Sequence, residues 1–385
     1  MTRLISMLES RAEDNPHSTN RVVSEACPMG KSRSGVETST RSALFMVLVF
    51  ALTACAHEAR RPEPPALPYT GPPPVVYMLD GGVRLVHDPS TIKEGDTYYL
   101  FSSGRSFSRI PIRCSKDLRN WAICGDVFSA RPDWASRDVP GVKNLWAPDI
   151  SFFNGKYHLY YAVSTFGRNH SAIGLATNQT LDPASPQYRW QDEGKIIHSR
   201  HYNDWNAIDP NIILDHDGQP WLAFGGGWDG IKLRRIDART GRLSTDDTKM
   251  YSLAARLPAP EGRPVEAPFI IRRGAFYYLF VSFDRCCKGA ESTYKIMIGR
   301  SLKVMGPYTD RIGAWMTRGG GTLLMASAGR WRGPGHNAVL QEEGEDKIIY
   351  HAYDAEHGGV EMLRIGSLVW DADGWPLAAP PDAAP

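Results

Sequence analysis

The stretch APDISFFNGKYHLYYAVS, residues 147–164, reads as two apolar β-strands joined by a tight turn. Asn154-Gly155 is a strong signal for a two-residue hairpin, because both residues tolerate the positive φ angles that such turns require. The second strand is dense in Tyr, Leu and Val, which pack well on a pleated surface. The stretch therefore predicts a β-hairpin with the polar residue Asp149 at its mouth.

The same pattern occurs four more times along the chain, at intervals of roughly 60 residues. The further copies are HDPSTIKEGDTYYLFSSG (87–104), DPNIILDHDGQPWLAFGG (209–226), APFIIRRGAFYYLFVS (267–282) and HNAVLQEEGEDKIIYHAY (336–353). Clear amphipathic helices are scarce, and the 36 Gly and 28 Pro suit a chain of many turns. We therefore predict an all-β fold, a five-bladed β-propeller with one repeat in each blade.

One polar residue stands at the mouth of each predicted hairpin: Asp88, Asp149, Asp209, Glu266 and His336. If the first strand of every hairpin is innermost, these five positions form a ring around the central axis. Carboxylates brought together in a partly desolvated pocket repel one another, so such a ring indicates function rather than stability. The alternative interpretation of any single Asp is that it caps a turn.

Carboxyl groups at different depths of one funnel suit glycoside hydrolysis. One acid protonates the departing sugar oxygen, and a second carboxylate attacks the sugar or activates water. Aromatic side chains near the same mouth would stack on sugar faces, and Trp146, Phe166 and Trp228 are placed for this, although each also suits a blade core. The formal net charge of +2, with scattered Lys and Arg, gives no reason to expect nucleic acid as a partner.

Several motifs resemble glycoside hydrolase family 43, and within it the endo-α-1,5-L-arabinanases. They are VHDPS, NLWAPDI, NAIDPNI, VEAPFI, FVSFDRCCKG, STYKIMIGRS, GGGTLL and GRWRGPGHNAV, over residues 75–376. The acidic motifs mark the family broadly, whereas the segments with CC and GPGH are narrower and point to arabinanases. The resemblance implies a five-bladed propeller, in agreement with the repeat count.

The resemblance also implies an inverting mechanism with three carboxyl groups in distinct roles. Asp88 is then the general base that activates water, and Glu266 is the general acid that protonates the departing oxygen. Asp209 is implied to orient Glu266 and to keep it protonated through its own negative charge. The implied substrate is arabinan, a polysaccharide of pectin side chains.

Further substrate contacts follow from the resemblance. The implied arabinose contacts are Gly174, Asn206, Ala207, Ile208 and Trp228, with His87 and Trp146 lining the subsite around the cleaved bond and Asp149 in a supporting polar role. Where the family usually has Ser-Phe-Trp, this chain has Gly226-Gly227-Trp228, which widens the wall of the site.

His336 is implied to hold a calcium ion whose other ligands are mostly water. From the residues alone, one histidine is a weak ligand for calcium, which prefers oxygen, while the nearby carboxylates favour a cation. The alternative is a histidine that hydrogen-bonds the carboxylate ring.

The N-terminal residues read as an export signal. Residues 44–54, LFMVLVFALTA, form an apolar run after Arg41 that is short for a membrane span. The run leads into Leu52-Thr53-Ala54-Cys55, which resembles the lipobox of bacterial lipoproteins.

We predict a signal or lipoprotein peptide at 1–55, for which Met29 is a better start than Met1. A Pro-rich tether at 56–74, the propeller at 75–378 and a disordered tail at 379–385 follow.

Four cysteines lie in the predicted propeller. Cys114 and Cys124 flank a short segment and can bridge two antiparallel strands in an oxidising compartment. The adjacent Cys286 and Cys287 favour a structural or vicinal pair over a metal site, because no CxxC or paired His accompanies them.

Taken together, these features predict an exported monomer that acts on arabinan and is anchored at the outer membrane or cell surface. Its one membrane attachment would be a lipid on Cys55. Two other functions stay open: an exo-acting arabinofuranosidase or β-xylosidase of the same family, and a non-catalytic surface lipoprotein that binds glycans.

Overall fold

The computed structural model describes residues 69–105, 109–256 and 264–383, and these residues form five sheets whose strands are antiparallel apart from one short edge strand. The predicted signal peptide and residues 56–68 of the predicted tether lie outside the described residues. Among the residues that the structure describes, no helix has the length and apolar character needed to span a bilayer.

In the first two sheets the strands follow the chain from the innermost strand outward, apart from a short first strand that adds to the outer edge of blade one. Blade one contains β1 (Asp80–Gly81), β2 (Ser90–Glu94), β3 (Thr97–Phe101), β4 (Pro111–Ser115) and β5 (Asn120–Asp126). Blade two contains β6 (Leu145–Phe153), β7 (Lys156–Val163), β8 (Ser171–Asn178) and β9 (Gln191–Ser199). The helix α1 (Asp133–Asp138) lies between them in sequence.

The other three sheets also follow the chain outward, and the last two strands of blade three both pair with its third strand. Blade three contains β10 (Asn211–Leu214), β11 (Pro220–Phe224), β12 (Ile231–Asp237), β13 (Arg242–Leu243) and β14 (Tyr251–Ala254). Blade four contains β15 (Val265–Arg273), β16 (Phe276–Phe283), β17 (Lys295–Ser301) and β18 (Thr322–Met325). Blade five contains β19 (Trp331–Glu342), β20 (Glu345–Asp354), β21 (Val360–Trp370) and β22 (Pro376–Ala378). Short 3-10 helices occupy Gly289–Glu291, Met316–Arg318 and Ala355–His357.

The first strand of each predicted hairpin is innermost. Strands β2, β6, β10, β15 and β19 each contact the corresponding strands of both neighbouring blades, which closes a ring. Five hydrophobic clusters lie between successive blades, including one between blades five and one. The prediction of a five-bladed propeller is confirmed, and its core is divided among the five blade interfaces.

The two ends of the propeller pack on the same blade. Tyr77 N–H donates to the Ile365 carbonyl at 2.8 Å, so the chain before β1 pairs with β21, while β1 itself lies parallel to β5. At the other end Ala379 is buried, and Arg364 donates to the Pro381 carbonyl at 3.0 Å. The described part of the predicted disordered tail is therefore packed on blade five.

Both cysteine pairs are disulfide-bonded. The Cys114–Cys124 bridge joins the neighbouring strands β4 and β5 in blade one. The Cys286–Cys287 bridge joins adjacent residues in the connection between β16 and β17.

Candidate active site

The five inner strands share one unusual backbone position. Asp88, Ala147, Asp209, Ala267 and His336 all have φ between 44° and 56°, in the left-handed region that non-glycine residues rarely adopt. Three of them lie where the pairing register shifts in β6, β15 and β19, which marks β-bulges. Bulges beside an active site re-aim side chains, and strained residues cluster at such sites.

This shared position corrects the predicted ring. Only Asp88, Asp209 and His336 of the five predicted residues occupy it, because Glu266 precedes Ala267 by one position and Asp149 follows Ala147 by two. Glu266 still faces the central cavity, whereas Asp149 does not. The prediction that all five polar residues stand in register was therefore wrong.

Side chains of the preceding blade accept hydrogen bonds from the backbone at four of these strained positions. Asp88 N–H donates to His351 Nδ1 at 3.2 Å, and Ala147 N–H donates to Ser103 Oγ at 2.8 Å. Ala267 N–H donates to Asp209 Oδ2 at 3.1 Å, and His336 N–H donates to Ser282 Oγ at 2.8 Å. These bonds help to hold conformations that would otherwise relax.

A cavity of about 1220 Å³ opens at this end of the propeller. Its wall includes Asp88, Asp209, Glu266 and His336, which come from blades one, three, four and five. Asp88 and Glu266 are more than 170 positions apart in sequence. They nevertheless share one cavity, as the propeller geometry predicts.

Asp88 is surrounded by hydrogen-bond donors. Its Oδ1 lies 2.8 Å from His87 Nδ1 and 3.0 Å from His336 Nδ1, and its Oδ2 accepts from Ser103 Oγ at 2.5 Å. Burial alone would raise the pKa of this carboxyl, but the facing imidazoles outweigh burial and hold the pKa well below its usual range. Asp88 is therefore ionised at neutral pH.

Glu266 has the opposite character. Burial, followed by the charge of Asp209, raises the pKa of Glu266 far above the usual range of a carboxyl. Burial raises the pKa of Asp209 as well, and the two groups influence each other strongly. Tyr294 donates a hydrogen bond to Glu266 Oε1. Asp88 thus loses its proton at low pH, whereas Glu266 holds its proton to higher pH, and acid–base catalysis requires such a division.

Most predicted substrate contacts line this cavity. They are His87, Trp146, Phe166, Asn206, Ile208, Gly226, Gly227 and Trp228. Phe166 and Trp228 are exposed in the cavity wall, with 71% and 42% of their surface free, as a surface that stacks on sugars requires. A Cβ added to Gly227 would have no neighbouring atom within 4 Å, whereas a Cβ added to Gly226 would lie 3.0 Å from Glu266 Cβ. The predicted widening therefore applies to Gly227, and Gly226 makes room for Glu266.

Three predicted contacts lie elsewhere. Ala207 is fully buried with its N–H bonded to Ser199 Oγ at 2.9 Å, and Gly174 packs against Tyr161 of blade two and Trp134 of α1. Neither residue borders the cavity, and nor does Asp149. The position of a residue in a matching motif does not tell whether that residue faces the cavity.

Asp149 instead links blade two to both neighbouring blades. Its Oδ2 accepts from Ile212 N–H at 2.7 Å, and its Oδ1 accepts from Asn211 Nδ2 and Ser90 Oγ, both at 3.2 Å. The same kind of link joins Ser90 Oγ to Ile150 N–H at 3.2 Å, and Asn211 Oδ1 to Ile270 N–H at 2.9 Å. We call Ser90, Asp149 and Asn211 the interblade clasp. Each is the second residue after a strained position, and the three residues lie on blades one, two and three.

The sequence analysis missed several residues that shape the site. They are Ser103, Ser282, Tyr294, His351 and Tyr353, which hold or contact the backbone and the side chains of the site. A signal existed for the serines, because Ser103, Ser164 and Ser282 close the second strand in three of the five repeats. No comparable pattern marks Tyr294.

Comparison with known proteins agrees with this arrangement. The family model for glycosyl hydrolases family 43 matches residues 83–376, which is most of the chain and nearly all of the propeller. The chain belongs to this family. It is a glycoside hydrolase, and the family acts with inversion of configuration.

Two curated relatives of this family 43 enzyme align over about three quarters of the chain. An extracellular exo-α-(1→5)-L-arabinofuranosidase from Cellvibrio japonicus is 44% identical over 76% of this chain and 85% of its own length. An extracellular endo-α-(1→5)-L-arabinanase from Bacillus subtilis is 43% identical over 76% of this chain and 87% of its own. Among solved structures, an endo-arabinanase from Bacillus licheniformis gives a TM-score of 0.72 at 44% identity, covering 78% of this chain and 99% of that one.

His336 in this family 43 enzyme has the surroundings of a metal ligand. Its Nδ1 lies 3.0 Å from Asp88 Oδ1, and histidines that bind metals usually give their other ring N–H to such a carboxylate. This contact leaves Nε2 for coordination when the ring is neutral, although the Asp88 charge outweighs burial and raises the pKa of His336. The residues thus fit a cation held by one nitrogen, with water supplying the other ligands.

Proposed function

We propose that this family 43 enzyme cleaves α-1,5-L-arabinofuranosidic bonds within arabinan chains and inverts the anomeric configuration. The observation that carries the proposal is the pair of Asp88 and Glu266 in one cavity, with pKa values displaced in opposite directions. The endo- and exo-acting relatives are both named for α-(1→5)-L-arabinofuranosyl bonds, which supports arabinan as the substrate.

The reaction divides between the two groups. Glu266 gives its proton to the glycosidic oxygen as the bond to the anomeric carbon breaks. Asp88 takes a proton from a water that attacks the same carbon from the opposite face, so the product inverts. The negative charge of Asp209 keeps Glu266 protonated until transfer, and Ala267 N–H holds the Asp209 carboxylate in place. Trp146, Phe166 and Trp228 would pack on sugar rings along the cavity.

The test is a product profile on linear debranched arabinan. Internal cleavage releases a ladder of oligosaccharides and lowers viscosity early, whereas an exo-acting enzyme releases one short product from the start. NMR of the first product should show inversion at the anomeric carbon. Retention would contradict the role of Asp88 as a base. Absence of new reducing ends would favour the surface glycan-binding protein instead.

Exo action is the second candidate, since the relative from Cellvibrio japonicus at 44% identity is named as an exo-acting enzyme. The same product profile separates the two modes. A β-xylosidase would instead release xylose from xylo-oligosaccharides and leave arabinan intact.

We also propose that His336 holds a hydrated calcium ion at the base of the cavity. A bound dication would favour neutral His336 and strengthen the carboxylate form of Asp88. Calorimetric titration of chelator-treated enzyme with calcium tests this directly. His336→Ala should remove the binding heat, and unchanged heat would contradict the site.

Finally, we propose export, with a lipid on Cys55 as the membrane anchor and the propeller as a monomer. The two relatives are named extracellular, and two disulfides suit an oxidising compartment. Cys55→Ala should release the protein from the membrane fraction, and metabolic labelling with a fatty acid should mark the wild type alone. Labelling of Cys55→Ala would contradict this anchor.

A further inference from the structure

The Cys286–Cys287 disulfide borders the active-site cavity. Cys287 is exposed there and has a φ of 64°, and Asp284 and Gly289 in the same turn also have positive φ values, of 72° and 54°. Such a conformation is unfavourable for residues other than glycine. The covalent ring between the adjacent cysteines restrains this turn and so determines where the Cys287 N–H points.

A chain of hydrogen bonds leads from this turn to the proposed base. Cys287 N–H donates to the Tyr353 hydroxyl at 2.9 Å, and the same hydroxyl lies 2.8 Å from His87 Nε2. His87 Nδ1 in turn lies 2.8 Å from Asp88 Oδ1. The Tyr353 hydroxyl accepts from Cys287 and still has its own proton to give, and when it donates to His87 Nε2 the proton of a neutral imidazole is on Nδ1, towards Asp88.

We infer that the Cys286–Cys287 disulfide is a positioning element of the catalytic site, acting through Tyr353 to fix His87 against Asp88. The inference rests on the proposed function, because it concerns the same site. Neither cysteine has to touch the reacting atoms for this role. It makes turnover depend on the oxidation state of the pair.

Reduction should therefore slow the chemical step more than it weakens binding. A dithiol such as dithiothreitol delivers two electrons and two protons, so the S–S bond becomes two thiols while the reagent closes into its own disulfide. The ring then opens, and the Cys287 N–H no longer has to face Tyr353. Misplacement of catalytic groups by about 1 Å can lower the rate by about 100-fold.

The main experiment compares two double variants of the same enzyme on linear arabinan. Cys286→Ser/Cys287→Ser should lower kcat roughly 10- to 100-fold with KM little changed. Cys114→Ser/Cys124→Ser is the matched control, because it removes the other disulfide, in blade one, and should keep wild-type kcat. Dithiothreitol should lower kcat of the wild type and of the control alike, and should have no effect on the Cys286→Ser/Cys287→Ser enzyme. Reoxidation should restore the loss.

Tyr353→Phe separates the hydrogen-bond chain from a general loss of structure. It should lower kcat by itself, and adding it to Cys286→Ser/Cys287→Ser should cause little further loss, since both changes break one chain. Fully additive losses, an unchanged kcat, or a raised KM at wild-type kcat in the cysteine variant would each overturn the inference. A wild-type enzyme that leaves arabinan intact would instead contradict the proposed function.

Discussion

Asp88 and Asp149 are the same kind of residue on neighbouring blades, and the molecule uses them in different ways. Both are buried, with 7% and 4% of their surface exposed, so burial does not distinguish them. Their partners do. Asp88 faces His87 and His336 in the cavity wall, whereas the donors to Asp149 belong to the scaffold of the adjoining blades.

The difference shows what keeps a buried carboxyl available for chemistry. Asp149 fills its acceptor sites with groups that cannot leave without separating the blades. Asp88 is held by side chains that themselves border the cavity, so a water beside the sugar can still reach it. A carboxyl satisfied by the scaffold is expected to serve stability, and one satisfied at the cavity wall is expected to serve catalysis.

The largest expected effect is on activity, and it distinguishes the cavity from the interblade clasp. Glu266→Gln removes the transferable proton and should lower kcat/KM by about 10²- to 10⁴-fold, while the amide keeps the shape of the side chain and the thermal unfolding temperature. Asp149→Asn is the matched change in the clasp and should keep wild-type kcat. Reducing-sugar release and calorimetry measure both variants. Equal loss of activity in the two variants would remove the distinction.

The next effect is a shift in the pH profile. The alkaline limb of activity should follow the loss of the Glu266 proton, above the usual titration range of a carboxyl, because burial and the Asp209 charge raise its pKa. In Asp209→Asn that negative neighbour is gone, so Glu266 ionises at lower pH and the limb should move to lower pH. Asp149→Asn is the control and should leave the limb unmoved. An unmoved limb in Asp209→Asn would contradict the role of Asp209.

The fold followed from the sequence, while the exact register of the site did not. Repeated hairpins and the Asn154-Gly155 turn predict the blades, because turn chemistry and strand patterning act locally. The backbone at the left-handed residues is held by contacts between blades, which the alternation of apolar and polar residues along a strand does not reveal. Aligning the repeats on the prolines that follow Asp88, Ala147, Asp209 and Ala267 would have placed Asp149 outside the ring.

A third effect concerns stability. Asp149→Ala leaves Ile212 N–H and Asn211 Nδ2 without their acceptor and should lower the free energy of unfolding by about 1–3 kcal/mol for each buried group left unpaired. Urea denaturation measures the loss. The activity of the remaining folded enzyme should stay near that of the wild type, since Asp149 does not border the cavity. A large fall in kcat without loss of stability would place Asp149 in the catalytic region.

The same carboxyl should also make stability depend on pH. Burial raises the pKa of Asp149 to about 7 in the folded protein, whereas an unfolded Asp titrates near 3.9. The folded state therefore binds the proton more tightly, so this contribution to stability falls as pH rises from about 4 to 7 and is constant above. Asp149→Asn should lack this contribution. If the free energy of unfolding falls by the same amount over this pH range in the wild type and in Asp149→Asn, the raised pKa of Asp149 is contradicted.

The smallest effect tests whether the two regions are energetically separate. Ser90→Ala removes one donor to Asp149 and one acceptor for Ile150 N–H, and should lower the free energy of unfolding by about 0.5–1.5 kcal/mol. Because Ser90 and Asp149 are bonded to each other, the losses from Ser90→Ala and Asp149→Asn should be non-additive. Ser90→Ala and Glu266→Gln share no hydrogen bond, so their effects on stability and on kcat should add. Coupling between Ser90 and Glu266 as strong as that between Ser90 and Asp149 would mean that the clasp and the cavity respond as one unit.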